Sequence, residues 1–220
     1  MEAVKRTYRS PRRDQQASET RRAIAAAALE LFTEHGFTET SIRQVAQRAS
    51  VSDQTIYKAF GDKIGLLCEA AAQYIETGGG GTEAAFLAAL AAEPDPIERF
   101  RAVARSSREL WESGALELDL MLNGTEIRDP RLEELQRRSL AYKLESTRAA
   151  CEVLFPDDIR RADFSVDDIA ALGTAIDSAA TVMTLRALGW SMDRWEQWMV
   201  ALLTMFLDPA HAARWRGPGT

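Results

Sequence analysis

The sequence predicts an all-α protein of about nine helices, built as an N-terminal three-helix part and a larger helical body. Three observations predict it. Apolar residues recur at helical spacing along most of the chain. The periodic segments have Ser, Thr or Asp in front and Gly or Pro behind, which are helix start and stop signals. No stretch alternates with period two between turns, so no sheet is expected.

Residues 1–18 read as a flexible basic arm with no periodic apolar face. From Ser18 or Thr20, Ile24, Ala28, Leu31 and Phe32 form one stripe, and Gly36 is the stop. A short helix follows from Thr40 or Ser41, with Ile42, Val45, Ala46 and Ala49 inward. Ser50-Val51-Ser52 interrupts it, and Ser52 is placed to cap the next helix, Asp53 to Phe60. Gly61-Asp62 breaks the chain again, and Asp62 can cap a fourth helix to about Thr77. Gly78 to Gly81 reads as a flexible joint. Beyond it lie an alanine-rich helix, Glu83 to Ala92, and a second from Pro96 to about Glu112. After an apolar patch at Leu116–Leu122, a long helix runs from Pro130 to about Phe155. Ser165 opens a helix to about Leu188, which Gly189 stops. Ser191 caps the last, through Leu207, where Asp208-Pro209 ends it. The domains expected are the arm 1–18, a three-helix domain 19–66 with a motif at 41–60, and a body 67–220.

Composition narrows the classes of function. The 220 residues are 46% hydrophobic and 27% charged, enough for a real core. The longest apolar run, Ala84 to Ala92, falls short of the roughly 20 residues a membrane span needs, so no membrane partner is expected. The charged N-terminus has no apolar signal core, which points to the cytoplasm. Cys68 and Cys151 make no CxxC, and His35 and His211 form no ligand cluster, so neither a metal nor a cofactor is expected. No nucleophile–base pair appears, and the glycine run lacks the Gly-Lys-Ser/Thr of a phosphate loop, so the chain does not read as an enzyme. The net charge of −6 is uneven. Residues 1–22 carry seven Lys/Arg against three Asp/Glu, and residues 66–220 carry 16 against 25. A basic arm on an acidic body can touch a polyanion locally while the rest is repelled; a solubilising tail has the same composition.

The most informative segment is 40–60. Two short helices joined by a three-residue turn have the spacing of a helix-turn-helix, in which the second helix enters the DNA major groove. An ordinary helical hairpin with a polar surface has that spacing too. Asp53, Gln54, Thr55, Tyr57 and Lys58 face outward; Gln pairs with adenine, and Lys bonds guanine or phosphate.

The run IAAAALELFTEHGFTETSIRQVAQRASVSDQTIYKAFGDKIGLL resembles the DNA-binding domain of tetracycline-repressor-type (TetR) transcriptional regulators. The matching pieces are Ala28, Leu31-Phe32, Gly36-Phe37, Thr40-Ser41-Ile42, Val45-Ala46, Val51-Ser52, Ile56-Tyr57, Phe60 and Lys63. The later GWSMDRWEQWMVALL is similar to the last helix of many such proteins. The resemblance implies phosphate contacts from Thr40, Ser41, Tyr57 and Lys63, and counts Ser52 among the DNA-binding residues. It implies base reading by Gln54, Thr55 and Lys58, with Arg43 reaching in, and a basic arm, Arg9 to Arg22, along the backbone or minor groove. Ser50 stands where the family usually has glycine, Gln54 where a small residue is usual, and Ala59 where His or Tyr is, so no known operator carries over.

The resemblance also implies a body that binds a small ligand and dimerises. Phe86, Phe100, Trp111, Met121, Asn123, Tyr142, Asp177 and Met183 are the candidate pocket residues, although each aromatic or Met also suits an ordinary core. Asp177 also suits a bond to a neighbouring helix. Ile176, Ala180, Trp195, Trp198, Leu202 and Phe206 are the candidate dimer contacts, unless they pack within one subunit. The expected protein is therefore a homodimeric repressor on a palindromic double-stranded operator, released by an unidentified, mostly apolar effector. An activator, an effector-free regulator, or a helical carrier or enzyme are the alternatives.

Overall fold

The computed structural model of the protein describes residues 11–76, 83–123 and 128–213. Among the described residues it holds eleven α-helices of seven residues or more, rather than about nine, and no strand beyond one isolated antiparallel bridge, Arg160 with Leu207. The chain divides into two compact units, Met1–Tyr74 and Ile75–Thr220.

The first unit is built from α1 (Pro11–Glu39), α2 (Ile42–Arg48), α3 (Asp53–Phe60) and most of α4 (Lys63–Glu76). α1 starts at Pro11, so the stretch read as an arm through residue 18 is helical from there. Pro at the first position presets φ, and the Arg, Gln, Ala and Glu that follow hold a helix without an apolar face. Thr20 is not a cap: its hydroxyl donates to the Gln16 carbonyl at 2.9 Å within the helix. Gly36, at φ 82°, turns the chain out of α1 as expected. Ser41 and Gln44 close a reciprocal capping box on α2, and the Ser52 hydroxyl accepts from the Thr55 N–H at 3.2 Å on α3. Asp62 accepts from the Gly65 N–H at 2.7 Å at the start of α4. Ile24, Ala28, Phe32, Val45, Ile56, Leu66 and Leu67 form the core. Because α4 buries Leu66, Leu67, Ala70 and Ala71, the unit extends to Tyr74, past the boundary at 66 read from the sequence.

The motif turn has an unusual backbone. Ser50 sits at φ 54°, the one positive φ outside glycine among the described residues. Its N–H donates to the Gln47 carbonyl at 3.2 Å, and the Val51 N–H to the Ala46 carbonyl at 2.9 Å. That pair of bonds is the Schellman arrangement, which places a left-handed residue directly after the helix.

The second unit contains α5 (Glu83–Ala92), α6 (Pro96–Leu110), a π-helical turn (Trp111–Ala115), α7 (Leu116–Asn123), α8 (Pro130–Leu154), α9 (Val166–Ile176), α10 (Ala179–Ala187), α11 (Met192–Thr204) and the one-turn α12 (Pro209–Ala212). α8 lies along α9 and α6 along α11, with α5 against α8. Phe155 is the hub of the core: its ring centroid lies 5.1 Å from Phe100 and 6.0 Å from Phe206. The single helix expected over 166–188 is two, because α9 ends at Asp177 and Ser178 caps α10. The helix expected to reach Leu207 stops at Thr204. The chain beyond it pairs instead with the segment after α8: the Arg161 N–H donates to the Phe206 carbonyl at 2.9 Å, and the Asp208 N–H to that of Ile159 at 2.8 Å. The glycine joint, Gly78 to Gly81, lies outside the described residues.

The Ser50 conformation leads to a direct expectation. A left-handed non-glycine residue costs about 1–2 kcal/mol, part of which glycine's unfolded-state entropy offsets. Ser50→Gly should therefore raise the unfolding free energy by roughly 0.5–1 kcal/mol. The midpoint of urea unfolding measures it, and an unchanged or lower midpoint would show that the turn is not strained.

Candidate DNA interface and ligand cavity

α3 is amphipathic in the simplest way. Ile56 and Phe60 are buried, while Gln54, Tyr57 and Lys58 are exposed, Tyr57 at 53%. Among the described residues these three side chains have no protein partner, which leaves their donors and acceptors open to solvent. Arg43 on α2 is exposed as well. Ser52 and Thr55 lie at the N-terminus of α3, their hydroxyls 2.9 Å apart. Ser41 is exposed at the N-terminus of α2. Two helix starts and one polar helix face thus gather on the first unit, an arrangement suited to polyanions.

Two residues, Thr40 and Arg21, stand elsewhere than the sequence reading placed them, and Lys63, at the start of α4 as expected, has contacts of its own within the unit. Thr40 is 1% exposed, and its hydroxyl donates to the carbonyls of Leu31 at 3.0 Å and Gly36 at 2.9 Å. It satisfies carbonyls that the end of the helix leaves without partners, so its hydroxyl is not presented to phosphate. Lys63 donates to the Thr38 carbonyl at 3.2 Å, and its ammonium lies 4.4 Å from the centre of the Phe37 ring. Partial burial lowers its pKa, a shift that Glu39 opposes. Arg21, read as part of the basic arm, is a clamp inside the unit. It donates to the Ala59 carbonyl of α3 and to Glu69 of α4, both at 2.5 Å, with its guanidinium 4.5 Å over the Phe60 ring.

The second unit contains a partly open cavity of about 170 Å³. Phe86 and Leu87 of α5, Val103 and Ser107 of α6, Thr147 and Cys151 of α8, Ile169 and Ile176 of α9, and Met199 and Leu202 of α11 are among the residues lining it. Glu83 and Asp177 add carboxylates, and the lining has no Lys, Arg or His. Asp177 is tied to α6 and to the π-helical turn: Ser107 and the Trp111 indole N–H both donate to its Oδ1 at 2.6 Å. Lys143 of α8 donates to the Asp177 main-chain carbonyl. The Tyr142 hydroxyl donates to Glu83 at 3.2 Å. Burial pushes the Cys151 thiol up to about 12, so it is inert as a nucleophile.

Of the eight candidate pocket residues, Phe86 and Asp177 line the cavity. Trp111 and Tyr142 are not in the lining but bond to residues that are, Trp111 to Asp177 and Tyr142 to Glu83. Phe100 and Met121 are buried away from the lining, and Met183 is 45% exposed. The side chain of Asn123 lies outside the described residues. Of the six candidate dimer residues, Ile176, Leu202 and Phe206 face this cavity instead. Trp195 is 1% exposed within the single chain, so no surface is left for a partner. Trp198 is half-buried, edge-to-face with Trp190 at 5.9 Å, and Ala180 is exposed. Glu83, Ser107 and Cys151 escaped sequence reading because a helix start, a helix serine and a core cysteine carry no local signal of a cavity.

An exposed polar helix behind a capped turn, carried by a chain with a separate helical body, defines a helix-turn-helix protein. More particularly, residues 24–70, which lie within the first unit, match the profile of bacterial regulatory proteins of the tetR family. The chain is 34% identical over 119 residues to the HTH-type transcriptional regulator BetI of Yersinia pestis strain Pestoides F, over 53% of this chain and 59% of BetI. It is 41% identical over 66 residues to the HTH-type transcriptional regulator HbdR of Aromatoleum sp. strain CIB, over 30% of this chain and 28% of HbdR. The matched segments therefore span 59% of BetI and 28% of HbdR, less than two thirds of either relative. These relatives are transcriptional regulators, not enzymes. Two solved structures share the fold. A transcriptional regulator from Saccharomonospora viridis in complex with choline superposes with a TM-score of 0.70 at 19% identity, covering 87% of this chain and 99% of that one. NalD, the secondary repressor of the MexAB-OprM efflux pump in Pseudomonas aeruginosa, superposes at 0.61 and 20%, covering 89% and 98%.

The Arg21 clamp is testable through pH. Arg21 holds the Glu69 carboxyl below the ordinary glutamate range, its hydrogen bond outweighing burial. A depressed carboxylate stabilises the fold above its unfolded pKa of about 4.3, and that contribution is lost as pH falls through the folded value. The pair is partly exposed, so its share is at most about 1 kcal/mol. Arg21→Met should lower the unfolding free energy at pH 7, and the gap from wild type should narrow at pH 3. A gap of equal size at both pH values would assign the effect to packing on Phe60.

Proposed function

We propose that the protein is a cytoplasmic homodimeric repressor that grips a palindromic operator and lets go when a small, mostly apolar molecule enters the cavity of the second unit. The observation that carries this reading is the exposed face of α3, where Gln54, Tyr57 and Lys58 stand without protein partners on a helix held by Ser52, Arg21 and the Ser50 turn. Gln54 and Lys58 read bases, with Thr55 and Arg43 beside them. Tyr57, Ser41, Ser52 and Lys63 position the phosphate backbone; Lys63 keeps two of its three N–H donors beyond the bond to Thr38. The choline complex of the Saccharomonospora viridis regulator supports a small-molecule role for the body. α4 begins at Lys63 and carries the chain out of the first unit, so a ligand-driven shift of α4 would change the spacing of the two recognition helices. Half-sites recur about 34–36 Å apart, so a shift of a few ångströms spoils the fit. The effector works only if it prefers the form that does not bind DNA.

The dimer reading rests on exposed apolar side chains of α9 and α10, Leu172 at 43% and Met183 at 45%, and on the exposure of Ala180. Paired across a two-fold axis, these helices make a self-complementary face. Leu172→Glu with Met183→Glu should give monomers by sedimentation and weaken operator binding, because the two half-sites are no longer linked. A doubly substituted protein that stays dimeric would place the interface elsewhere.

DNA recognition is tested by selecting binding sites from random duplexes and then titrating salt. Gln54→Ala should cost about 1–3 kcal/mol at one base pair and relax selection there. Tyr57→Phe should weaken every sequence alike, and Lys63→Ala should also reduce the salt slope by about one. Binding without salt dependence, or an unchanged selected site in Gln54→Ala, would overturn the assignment.

A further inference from the structure

The two carboxylates of the cavity are its most informative chemistry. Glu83 and Asp177 line a space otherwise dominated by Phe, Leu, Ile, Val, Met and Ala, with Ser107, Ser146 and Thr147 as neutral polar groups. Lys143, the nearest cation in the bonding scheme, is not in the lining. It donates to the Asp177 main-chain carbonyl, and its ammonium lies 5.1 Å from the centre of the Trp111 ring. Ser107 and Trp111 both donate to Oδ1 of Asp177. Among the described residues Oδ2 has no protein partner, so the carboxylate is held by one oxygen and keeps hydrogen-bonding capacity on the other.

We propose, on the reading of the cavity as an effector site, that the effector is a small organic cation: one positive nitrogen on an apolar body about the size of a single ring. Size follows from the volume, since an engineered apolar cavity of about 150 Å³ holds one benzene. Charge follows from the lining. An anion would be desolvated beside two carboxylates with no base to pair it, whereas a cation gives Asp177 the charged partner that a half-buried carboxylate needs. Phe86 and Phe206 are aromatic residues of the same lining, the residue type that a cation's charge is attracted to. Asp177 also ends α9, so a ligand that binds its carboxylate acts directly on the break between α9 and α10.

Three probes of similar size separate the possibilities when titrated calorimetrically into the full chain at pH 7: protonated benzylamine, benzyl alcohol and benzoate. Benzylammonium should bind about 10–100-fold more tightly than benzyl alcohol, the range of a hydrogen bond to a charged group, and benzoate should not bind. Asp177→Asn keeps the acceptor for Ser107 and Trp111, so it should bring the benzylammonium to benzyl alcohol ratio close to one while benzyl alcohol binds as before. Should that variant fail to fold, Glu83→Gln should lower the same ratio in part. Benzyl alcohol or benzoate binding as tightly as benzylammonium, or no binding by any probe, would overturn the cation assignment. Benzylammonium that binds with the expected preference and leaves operator affinity unchanged at saturation would uphold it and overturn the release mechanism instead.

Discussion

Asp177 is held at both ends, by its carboxylate and by its main-chain carbonyl, and the second unit is organised around that double attachment. The carboxylate takes hydrogen bonds from Ser107 of α6 and Trp111 of the π-helical turn, and the carbonyl takes one from Lys143 of α8. Ending α9 here frees backbone groups that a continuous helix would have satisfied, and Ser178 and Lys143 satisfy them from outside. The bend this creates lets α9 follow α8 while α10 runs on against α7. Without it the apolar faces of α6, α8, α9 and α11 would have no reason to leave a space between them, since helices of this composition otherwise close to full density.

The first unit solves the opposite problem. α2 and α3 are too short to be stable alone, so nearly every helix end in the unit is fixed by a side chain or a special backbone state. Ser41, Ser52 and Asp62 hold the starts of α2, α3 and α4; Gly36, Ser50 and Gly61 turn the ends at positive φ. Thr40 and Arg21 then reach across to take up carbonyls at the ends of α1 and α3. The outward face of α3 is thereby relieved of structural duty, which is why its polar side chains stand free.

Local chemistry made most of the helix boundaries legible from sequence. The caps at Ser52, Ser165 and Ser191, the prolines at 96 and 130, and the stops at Gly36 and Gly189 act within a few residues of themselves. What escaped depends on partners far along the chain. The break at Asp177 has neither Gly nor Pro beside it, and the groups that bond Asp177 there, Ser107, Trp111 and Lys143, lie 34 to 70 residues away. Thr40 looks like a helix start and is one residue from it, but the carbonyls of α1 claim its hydroxyl. Periodicity placed Ile176, Leu202 and Phe206 on apolar faces, yet an apolar face reads the same whether it meets a second subunit or a cavity in its own.

The π-helical turn at Trp111–Ala115 joins α6 to α7 without a loop. A π turn accommodates one more residue than the α-helix it interrupts, and each residue of an α-helix advances about 100° around its axis. The segment therefore works as a phase shifter: it delivers the Trp111 indole to Asp177 and, past the bulge, still turns Leu116, Leu118 and Met121 into the core. Residue number here matters more than residue type. Losing a single residue from this stretch would let the helix run on in regular α geometry, with better backbone hydrogen bonds than before. It would also rotate every side chain after it by about a quarter turn or more, uncoupling the wall of the cavity from the core behind it.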